Sequence, residues 1–268
     1  VDLVKSALRT ALANWSDEEK EAYVRRGYPS YWLSFDTETH VRHANFIRDA
    51  DGSEQAFSMN VRVDPSRSVT EVTVYCPAHH GLFSGIAGAM AVSGVNIVDA
   101  RVCSTTDGMA LDVFSIQDSA GNAVERPGHL KKLRTTIEET LTKDFKPAHA
   151  LAKQTSLPSR TKVLTIAPRV LVDNNASATY TVVEVNARDK VGLLYEITRT
   201  LVSLRLSIGA ARITTYGVRA VDIFYVKDMF GMKVTDDIHI ERIQSTMINV
   251  LTQLDKEAIV GETTASAA

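Results

Sequence analysis

The stretch Cys76-Pro-Ala-His-His-Gly-Leu-Phe-Ser-Gly-Ile-Ala-Gly-Ala-Met90 has a second version later in the chain, Ala187-Arg-Asp-Lys-Val-Gly-Leu-Leu-Tyr-Glu-Ile-Thr-Arg-Thr-Leu201. The similarity continues in order, since Ala110-Leu-Asp-Val-Phe114 matches Ala220-Val-Asp-Ile-Phe224. Like residues in unbroken order over about seventy positions indicate a duplicated structural unit. The sequence therefore predicts two copies of one domain.

Hydrophobic periodicity predicts the same elements in both copies: a strand, a helix, two strands and a helix, with a fourth strand at or beyond the end of each unit. In the first copy we expect strands at 69–75, 95–104 and 109–117, and helices at 82–92 and 127–142. This order is typical of an α+β fold in which each copy is a ferredoxin-like βαββαβ domain, with both helices on one face of an antiparallel sheet.

The predicted organisation has five parts. Residues 1–52 form a helical segment and joint, in which Ser16-Asp-Glu-Glu19 is a capping box that begins a second helix and Tyr28-Pro-Ser-Tyr-Trp-Leu33 is the aromatic-rich joint. The first domain with its preceding hairpin spans 53–147. A linker with a short strand covers 148–178, the second domain spans 179–260, and 261–268 form a disordered tail. Because a unit of this size is near the lower limit for burying its own core, we expect the two copies to associate through sheet faces or edges, within the chain or between chains.

Composition excludes several classes of function. Thirty basic and 32 acidic residues give a net charge of −2, which argues against a nucleic-acid partner, and the apolar runs are too short for a membrane span. We expect a cytoplasmic protein. The first residue is Val1, so we expect the chain to be a piece of something longer.

Four kinds of polar residue have a structural interpretation. Cys76 and Cys103 lie in predicted strands that are not neighbours, and we expect buried free thiols rather than a disulfide. His40 and His43 are three apart on a predicted helix but have no third ligand, so we expect solvated or capping side chains and no metal site. The repeated pairs on strands are expected on the solvent or partner face of the sheet, with contacts between the two copies as the alternative: Arg101 with Arg212, and Asp112 with Asp222.

The candidate site is the strand-to-helix corner at Gly81 and at Gly192. Glycine permits a sharp turn and a close approach of a ligand, and the helix that follows begins with unpaired N–H groups and a partial positive charge. This combination suits a small anion such as a carboxylate, although a single glycine before a helix is also found in ordinary tight turns.

The second corner resembles the amino-acid-binding signature of ACT domains. In that signature an Asp-x-x-Gly-Leu corner and the start of the next strand hold an effector. The resemblance implies a second-copy site formed by Asp189, Lys190, Gly192, Leu193, Leu194, Ser207 and Ile208. The carboxylate would bind the N–H groups of Leu193 and Leu194, and Asp189 would accept from the ammonium. The backbone of Ser207 and Ile208 would pair with the side-chain amide.

The first corner is similar but departs from the signature, because Ala78 stands in the place of the aspartate. The weaker site that the resemblance implies there consists of His80, Gly81, Leu82, Phe83, Asn96 and Ile97.

Nearly the whole chain resembles the C-terminal part of bifunctional PII uridylyltransferase/uridylyl-removing enzymes, in which tandem ACT domains follow catalytic domains. The resemblance rests on Pro29-Ser-Tyr-Trp-Leu33 and on Asp173-Asn-Asn-Ala-Ser-Ala-Thr-Tyr180 leading into Ala220-Val-Asp-Ile-Phe-Tyr-Val226. It implies a glutamine-sensing regulatory module, with PII as the partner of the parent enzyme, and that 1–52 includes the end of an upstream HD phosphohydrolase domain. Magnesium is implied only for the parent's catalytic domains. Because this sequence has neither their nucleotidyltransferase motif nor their HD motif, we expect no catalytic residues and no cofactor in this chain.

One alternative remains open at this point. The pair could be the effector-binding module of another amino-acid-regulated protein, such as an aspartokinase or an alarmone synthetase.

Overall fold

The computed structural model describes residues 1–53, 55–143, 146–153 and 166–265. The chain begins with four helices, α1 (Asp2–Ala11), α2 (Asp17–Arg26), α3 (Pro29–Ser34) and α4 (Thr37–Asp51). Helix α2 begins with the predicted capping box, in which Ser16 and Glu19 each bind the backbone N–H of the other. The aromatic joint of the sequence is itself a short helix, α3.

The first copy contains an antiparallel sheet with the strand order β1-β2-β4-β3. Its strands are β1 (Ser58–Asp64), β2 (Val69–Pro77), β3 (Asn96–Ser104) and β4 (Met109–Gln117). Two helices, α5 (Leu82–Val92) and α6 (Pro127–Thr142), pack on one face through buried side chains such as Phe83 and Ile137. Helix α7 (Pro147–Lys153) follows and packs against α5.

The second copy repeats this topology in a sheet with the order β5-β6-β8-β7. Its strands are β5 (Arg169–Asp173), β6 (Thr181–Arg188), β7 (Ser207–Tyr216) and β8 (Arg219–Lys227). Its helices are α8 (Leu193–Ser203) and α9 (Asp237–Ala265). The predicted α+β fold, with two ferredoxin-like domains in tandem, is confirmed.

Two details differ from the predicted layout. The fourth strand precedes each unit instead of following it: β1 and β5 occupy the edge beside β2 and β6, where a closing strand would otherwise lie. A short turn is enough to bring β1 against β2, so a preceding hairpin fills that edge. The strand expected inside the linker is therefore part of the second sheet. Helix α9 continues through 261–265, where a disordered tail was predicted, and 266–268 lie outside the described residues.

Equivalent turns in the two copies are held by the same hydrogen bonds. The carboxylate of Asp118 accepts hydrogen bonds from the N–H groups of Ala120 and Asn122. The carboxylate of Asp228 accepts in the same way from the N–H groups of Phe230 and Met232. The match shows that the repeat extends to local polar geometry.

The two copies lie side by side. Edge strand β3 of the first sheet runs next to edge strand β7 of the second, and α5 packs against α8. Their buried apolar side chains form one continuous cluster that includes Phe114 and Phe224. Within this chain, the predicted association of the copies therefore occurs through sheet edges and helices.

Helices α1–α4 cover the face of the first sheet that is opposite α5 and α6. Leu8, Trp32 and Ile47 pack there against Tyr75 and Leu111 of the sheet. The guanidinium of Arg26 links this layer to the sheet, because it donates a hydrogen bond to the hydroxyl of Tyr75. It also forms ion pairs with Asp51 at 2.6 Å and with Asp107 at 2.7 Å. Cys76 and Cys103 are buried free thiols, as predicted.

The prediction that the two histidines are solvated or capping side chains is wrong. His40 and His43 are buried among Tyr31, Trp32 and Phe35, not solvated. Burial lowers the pKa of both imidazoles, that of His43 to about 3, so they are neutral parts of an aromatic core. Their segment packs against a sheet instead of facing water, which a helical pattern alone does not indicate.

The strand pairs divide between the two faces of their sheets. Arg101 and Arg212 are exposed, and Arg101 donates to the Ser34 carbonyl at 2.7 Å. The solvent face predicted for Asp112 and Asp222 is wrong: both are buried on the face that packs against α5 and α6 in the first copy and against α8 and α9 in the second. Each shares its strand face with a buried phenylalanine two residues ahead, because side chains of a strand alternate.

Candidate ligand clefts between the two copies

Both corners have the geometry that their glycines predict. Gly81 and Gly192 adopt the left-handed conformation, with φ of +85° and +81°, and each precedes the first residue of a helix, α5 or α8. Neither helix start has a side-chain cap. The first N–H groups of a helix have no partner within it, so both corners present backbone donors and the positive end of the helix dipole.

The first of these donors is already used at both corners. Leu82 N–H donates to the His79 carbonyl at 3.2 Å, and Leu193 N–H donates to the Lys190 carbonyl at 3.1 Å. Leu193 was expected to bind a carboxylate, and its N–H is committed elsewhere in this structure. The groups left for an anion are those of the next two residues, Phe83 and Ser84 in the first copy.

The first cleft has a volume of about 290 Å³ and lies under the corner of the first copy. His80, Gly81, Leu82 and Phe83 line it from that copy. Its other wall comes from the second copy and includes Val202, Ser207 and Ile208. The His80 Nε2 atom is 3.3 Å from the Val202 carbonyl oxygen, so the corner touches α8 directly.

The second cleft is the counterpart at the other corner, with a volume of about 40 Å³. The second copy contributes Asp189, Lys190, Gly192, Leu193 and Leu194, and the first copy contributes Asn96 and Ile97. This volume is near that of a single water molecule.

Each predicted site combined a corner with the start of a strand from the same copy. In the structure, each corner instead faces the start of the equivalent strand of the other copy. Ser207 and Ile208, grouped with Asp189 in sequence, lie with the first corner, while Asn96 and Ile97 lie with the second. The reason is the side-by-side arrangement of β3 and β7, which brings the start of each strand against the corner of the other copy. No pattern within one copy signals this arrangement, because the partner residues are far away in sequence.

Sequence reasoning also missed the acidic groups inside the clefts. Asp112 lines the first cleft and Asp222 the second, with 1% and 2% of their surfaces exposed. Among the described residues, the two carboxyl oxygens of Asp112 have no hydrogen-bond partner, and Oδ1 of Asp222 has none either. Burial raises the pKa of each carboxyl to about 7. The N–H of Cys103 opposes this rise at Asp112, although its position is too poor for a hydrogen bond.

Asp189 differs from these two carboxyls. Its side chain is exposed at the rim of the second cleft, and partial desolvation raises its pKa, against the effect of the Lys190 backbone. It remains accessible to a ligand that enters from solvent.

Other features of the described residues point to no second kind of site. No group of three or more His, Cys, Asp or Glu side chains could hold a metal ion there. No described helix has the length and apolarity that crossing a membrane requires. A groove of about 320 Å³ runs over the outer side of the first corner, and its basic side chains include Arg199.

Comparison with known proteins agrees with the fold. Residues 176–253 match the family model described as the ACR family N-terminal ACT domain. The bifunctional uridylyltransferase/uridylyl-removing enzyme of Azospirillum brasilense is 47% identical over 253 residues, which are 94% of this chain and 27% of that enzyme. This chain is homologous to the ACT-domain region of such enzymes.

Further relatives carry the same name. The enzyme of Rhodospirillum rubrum is 45% identical over 93% of this chain, and that of Gluconobacter oxydans is 46% identical over 87%. The chain spans about a quarter of the length of these relatives, 27% of the first and 25% of the last. The matched ACT domain includes the second corner, the start of β7 and Asp222, so both clefts contain ACT residues.

Proposed function

We propose that this tandem ACT region is a glutamine-sensing regulatory module of a bifunctional enzyme that uridylylates and deuridylylates the PII nitrogen-regulatory protein. The chain itself carries no catalytic site in this proposal, and it acts on catalytic domains elsewhere in the parent enzyme. The observation that carries the proposal is the pair of clefts in which the corner of one ACT copy faces the first strand residues of the other.

The first cleft is the better candidate for the ligand. Its volume of about 290 Å³ is close to the lower end of the usual range for small-molecule sites, which begins at about 300 Å³. The N–H groups of Phe83 and Ser84 at the helix start suit an α-carboxylate. Ser207, an exposed residue at the start of β7, and the carboxyl of Asp112 supply acceptors for the nitrogen atoms of an amino acid.

The second cleft is too small for an amino acid as it stands, at about 40 Å³. Asp189 and Lys190 at its rim carry the two charges that a receptor for a zwitterion needs. Because the cleft is so small, it can take up an amino acid only if the two copies separate slightly at that corner. Binding at the first cleft therefore has the smaller reorganisation cost, contrary to the preference for the second corner that the sequence suggested.

A regulatory role follows from where the ligand would lie. A molecule in the first cleft touches both copies and favours the arrangement in which they are in contact. The relatives' name and their coverage of this chain support a uridylyltransferase/uridylyl-removing parent over an aspartokinase or an alarmone synthetase.

Isothermal titration calorimetry of the 268-residue chain tests the proposal. We expect saturable glutamine binding, with glutamate and alanine much weaker. A chain that is folded by circular dichroism and binds no glutamine at any pH between 6 and 8.5 would contradict the proposed function. In the same preparation, incubation with UTP, magnesium and PII is expected to label no PII above a control without the chain.

A further inference from the structure

Asp112 occupies the floor of the first cleft. It lies on the central strand β4, opposite Val74 of β2 and Val102 of β3, and its side chain is on the face of the sheet that packs against α5 and α6. Its carboxyl is buried, lines the cleft and has no hydrogen-bond partner among the described residues. A buried polar group without a partner costs free energy, so a retained one marks a place where a partner is supplied from outside.

The depth of Asp112 decides which part of a ligand reaches it. Met109 pairs with Pro77 at the end of the sheet that the corner covers, and Asp112 is three residues farther along β4. At the rise of a strand this is about 10 Å. The α-carboxylate and α-ammonium of an amino acid are attached to the same carbon. A ligand whose carboxylate lies at the corner therefore keeps its ammonium near the corner and extends its side chain toward Asp112.

Resting on the function proposed above, we propose that Asp112 is the specificity-determining residue of the first cleft, and that its carboxylate accepts hydrogen bonds from a side-chain carboxamide and repels a side-chain carboxylate. The cleft therefore selects glutamine over glutamate, two molecules of nearly the same shape. A site built to bond with N–H donors rejects an analogue that lacks them much more strongly than a site that only matches shape.

The surroundings of Asp112 leave the ligand as its main electrostatic partner. The thiols of Cys76 and Cys103 lie near it, and burial raises the pKa of both to about 12, so they are neutral. The side chains of α5 at the cleft are those of Leu82, Phe83 and Ser84, and those of the second copy are Val202, Leu206, Ser207 and Ile208, all uncharged. The imidazoles of His79 and His80 are exposed at the rim, where solvent screens them.

Selection by Asp112 depends on its ionisation. Burial holds the pKa of the empty site at about 7, and an amide ligand binds the ionised form. Glutamine affinity is therefore expected to rise as the pH increases through 7. Glutamate can pair only with the protonated carboxyl, so its affinity falls over the same range. The preference for glutamine must increase with pH.

The second copy provides a matched control. Asp222 is equivalent to Asp112 in the repeat, is as deeply buried and has the same raised pKa of about 7, but it lines the smaller cleft. Asp222→Asn makes the same chemical change away from the first cleft.

Calorimetry with glutamine and with glutamate, from pH 6 to 8.5, is the test. In the unaltered chain the ratio of the two affinities should rise with pH. In Asp112→Asn the ratio should fall by roughly tenfold or more at pH 8 and lose its pH dependence, since an amide pairs with either ligand. Asp222→Asn should behave as the unaltered chain does.

The outcomes separate this inference from the proposed function. An unchanged ratio in folded Asp112→Asn, or an equal change in Asp222→Asn, overturns the role of Asp112 and leaves glutamine sensing in place. A flat ratio in the unaltered chain overturns it even if Asp112→Asn does not fold. If the unaltered chain binds neither ligand, the proposed function fails and the inference fails with it.

Discussion

Gly88 of α5 meets Tyr195 of α8 where the two ACT copies touch. A Cβ atom on Gly88 would lie 2.7 Å from Cδ2 of Tyr195 and 2.6 Å from Cβ of Pro147, closer than real Cβ atoms come to other groups. The absence of a side chain at Gly88 therefore permits the close approach of α5 and α8, the two helices whose first residues line the clefts.

The substitution Gly88→Ala should destabilise the chain and weaken glutamine binding. Overpacking of a tight contact costs roughly 1–3 kcal/mol, against about 1 kcal/mol gained from replacing glycine inside a helix. Gly128→Ala in α6 is the control, because its Cβ would meet nothing within 4 Å. Urea unfolding followed by circular dichroism measures both. Equal stability of the two variants would contradict the close approach.

Valine in place of either corner glycine separates the two clefts. Gly81→Val and Gly192→Val suffer the same backbone strain, because both glycines have φ near +80°. We expect calorimetry to show glutamine binding lost in Gly81→Val and retained in Gly192→Val. The reverse result would assign the ligand to the second corner.

A change in the second copy should impair binding at the first corner. Val202 belongs to α8 but lines the first cleft, so Val202→Phe should fill it and reduce glutamine affinity at least tenfold. Val191→Phe is the matched control, since Val191 is exposed beside the second cleft. If Val202→Phe binds as the unaltered chain does, the shared cleft is not the site.

The buried carboxyls should make stability depend on pH in a defined direction. Asp112 and Asp222 have pKa values of about 7 in the folded chain and near 3.8 when unfolded. Between these values the folded state holds protons that the unfolded state has lost, so stability falls as the pH rises from 3.8 to 7.

Asp112→Asn should therefore stabilise the chain by up to about 4 kcal/mol above pH 7.5, with the gain disappearing toward pH 4. Urea unfolding at several pH values measures it, and Asp222→Asn should behave similarly. A gain that is the same at pH 4 and pH 8 would rule out ionisation as its cause.

The histidines of the N-terminal helices should act in the opposite direction. Burial lowers the pKa of His43 to about 3, whereas the unfolded side chain takes up a proton near 6.5. Stability is therefore lost as the pH falls from 6.5 toward 3, by about 1.4 kcal/mol per pH unit for one such group.

The fluorescence of Trp15 and Trp32 reports this layer alone, because they are the two tryptophans of the chain. Unfolding followed by fluorescence should show a weaker dependence on pH for His43→Gln between pH 6 and 4. His43→Gln with the full dependence of the unaltered chain would assign the acid sensitivity to other groups.

Local features of the fold could be predicted because local sequence determines them. The capping box at Ser16 needs a hydroxyl and a carboxylate three residues apart, and the corners need glycine for a positive φ. The repeat then gave the second copy the same elements as the first. The edge position of β1 and β5 could not be predicted this way, because either end of the unit can supply that strand.

The composition of the clefts depends on contacts between distant segments, and so it could not be read from either copy. Nothing near His80 in sequence indicates Val202 or Ser207 as its neighbours. The burial of Asp112 did have a signal, since it alternates in phase with the apolar side chains of Ala110, Phe114 and Ile116. The prediction followed the repeated charge and placed Asp112 on the solvent face, whereas the two-residue alternation of the strand places it on the buried face.

The duplication places both walls of each cleft on one polypeptide. Two separate ACT subunits would form such clefts only above the dissociation constant of their dimer, and their response would weaken as the protein became scarce. Here the second wall is supplied at a fixed effective concentration by the covalent connection. In the proposed function, ligand occupancy at a given pH then depends on the concentration of the ligand and not on that of the protein, so the response is the same in a cell that holds few copies of the protein as in one that holds many.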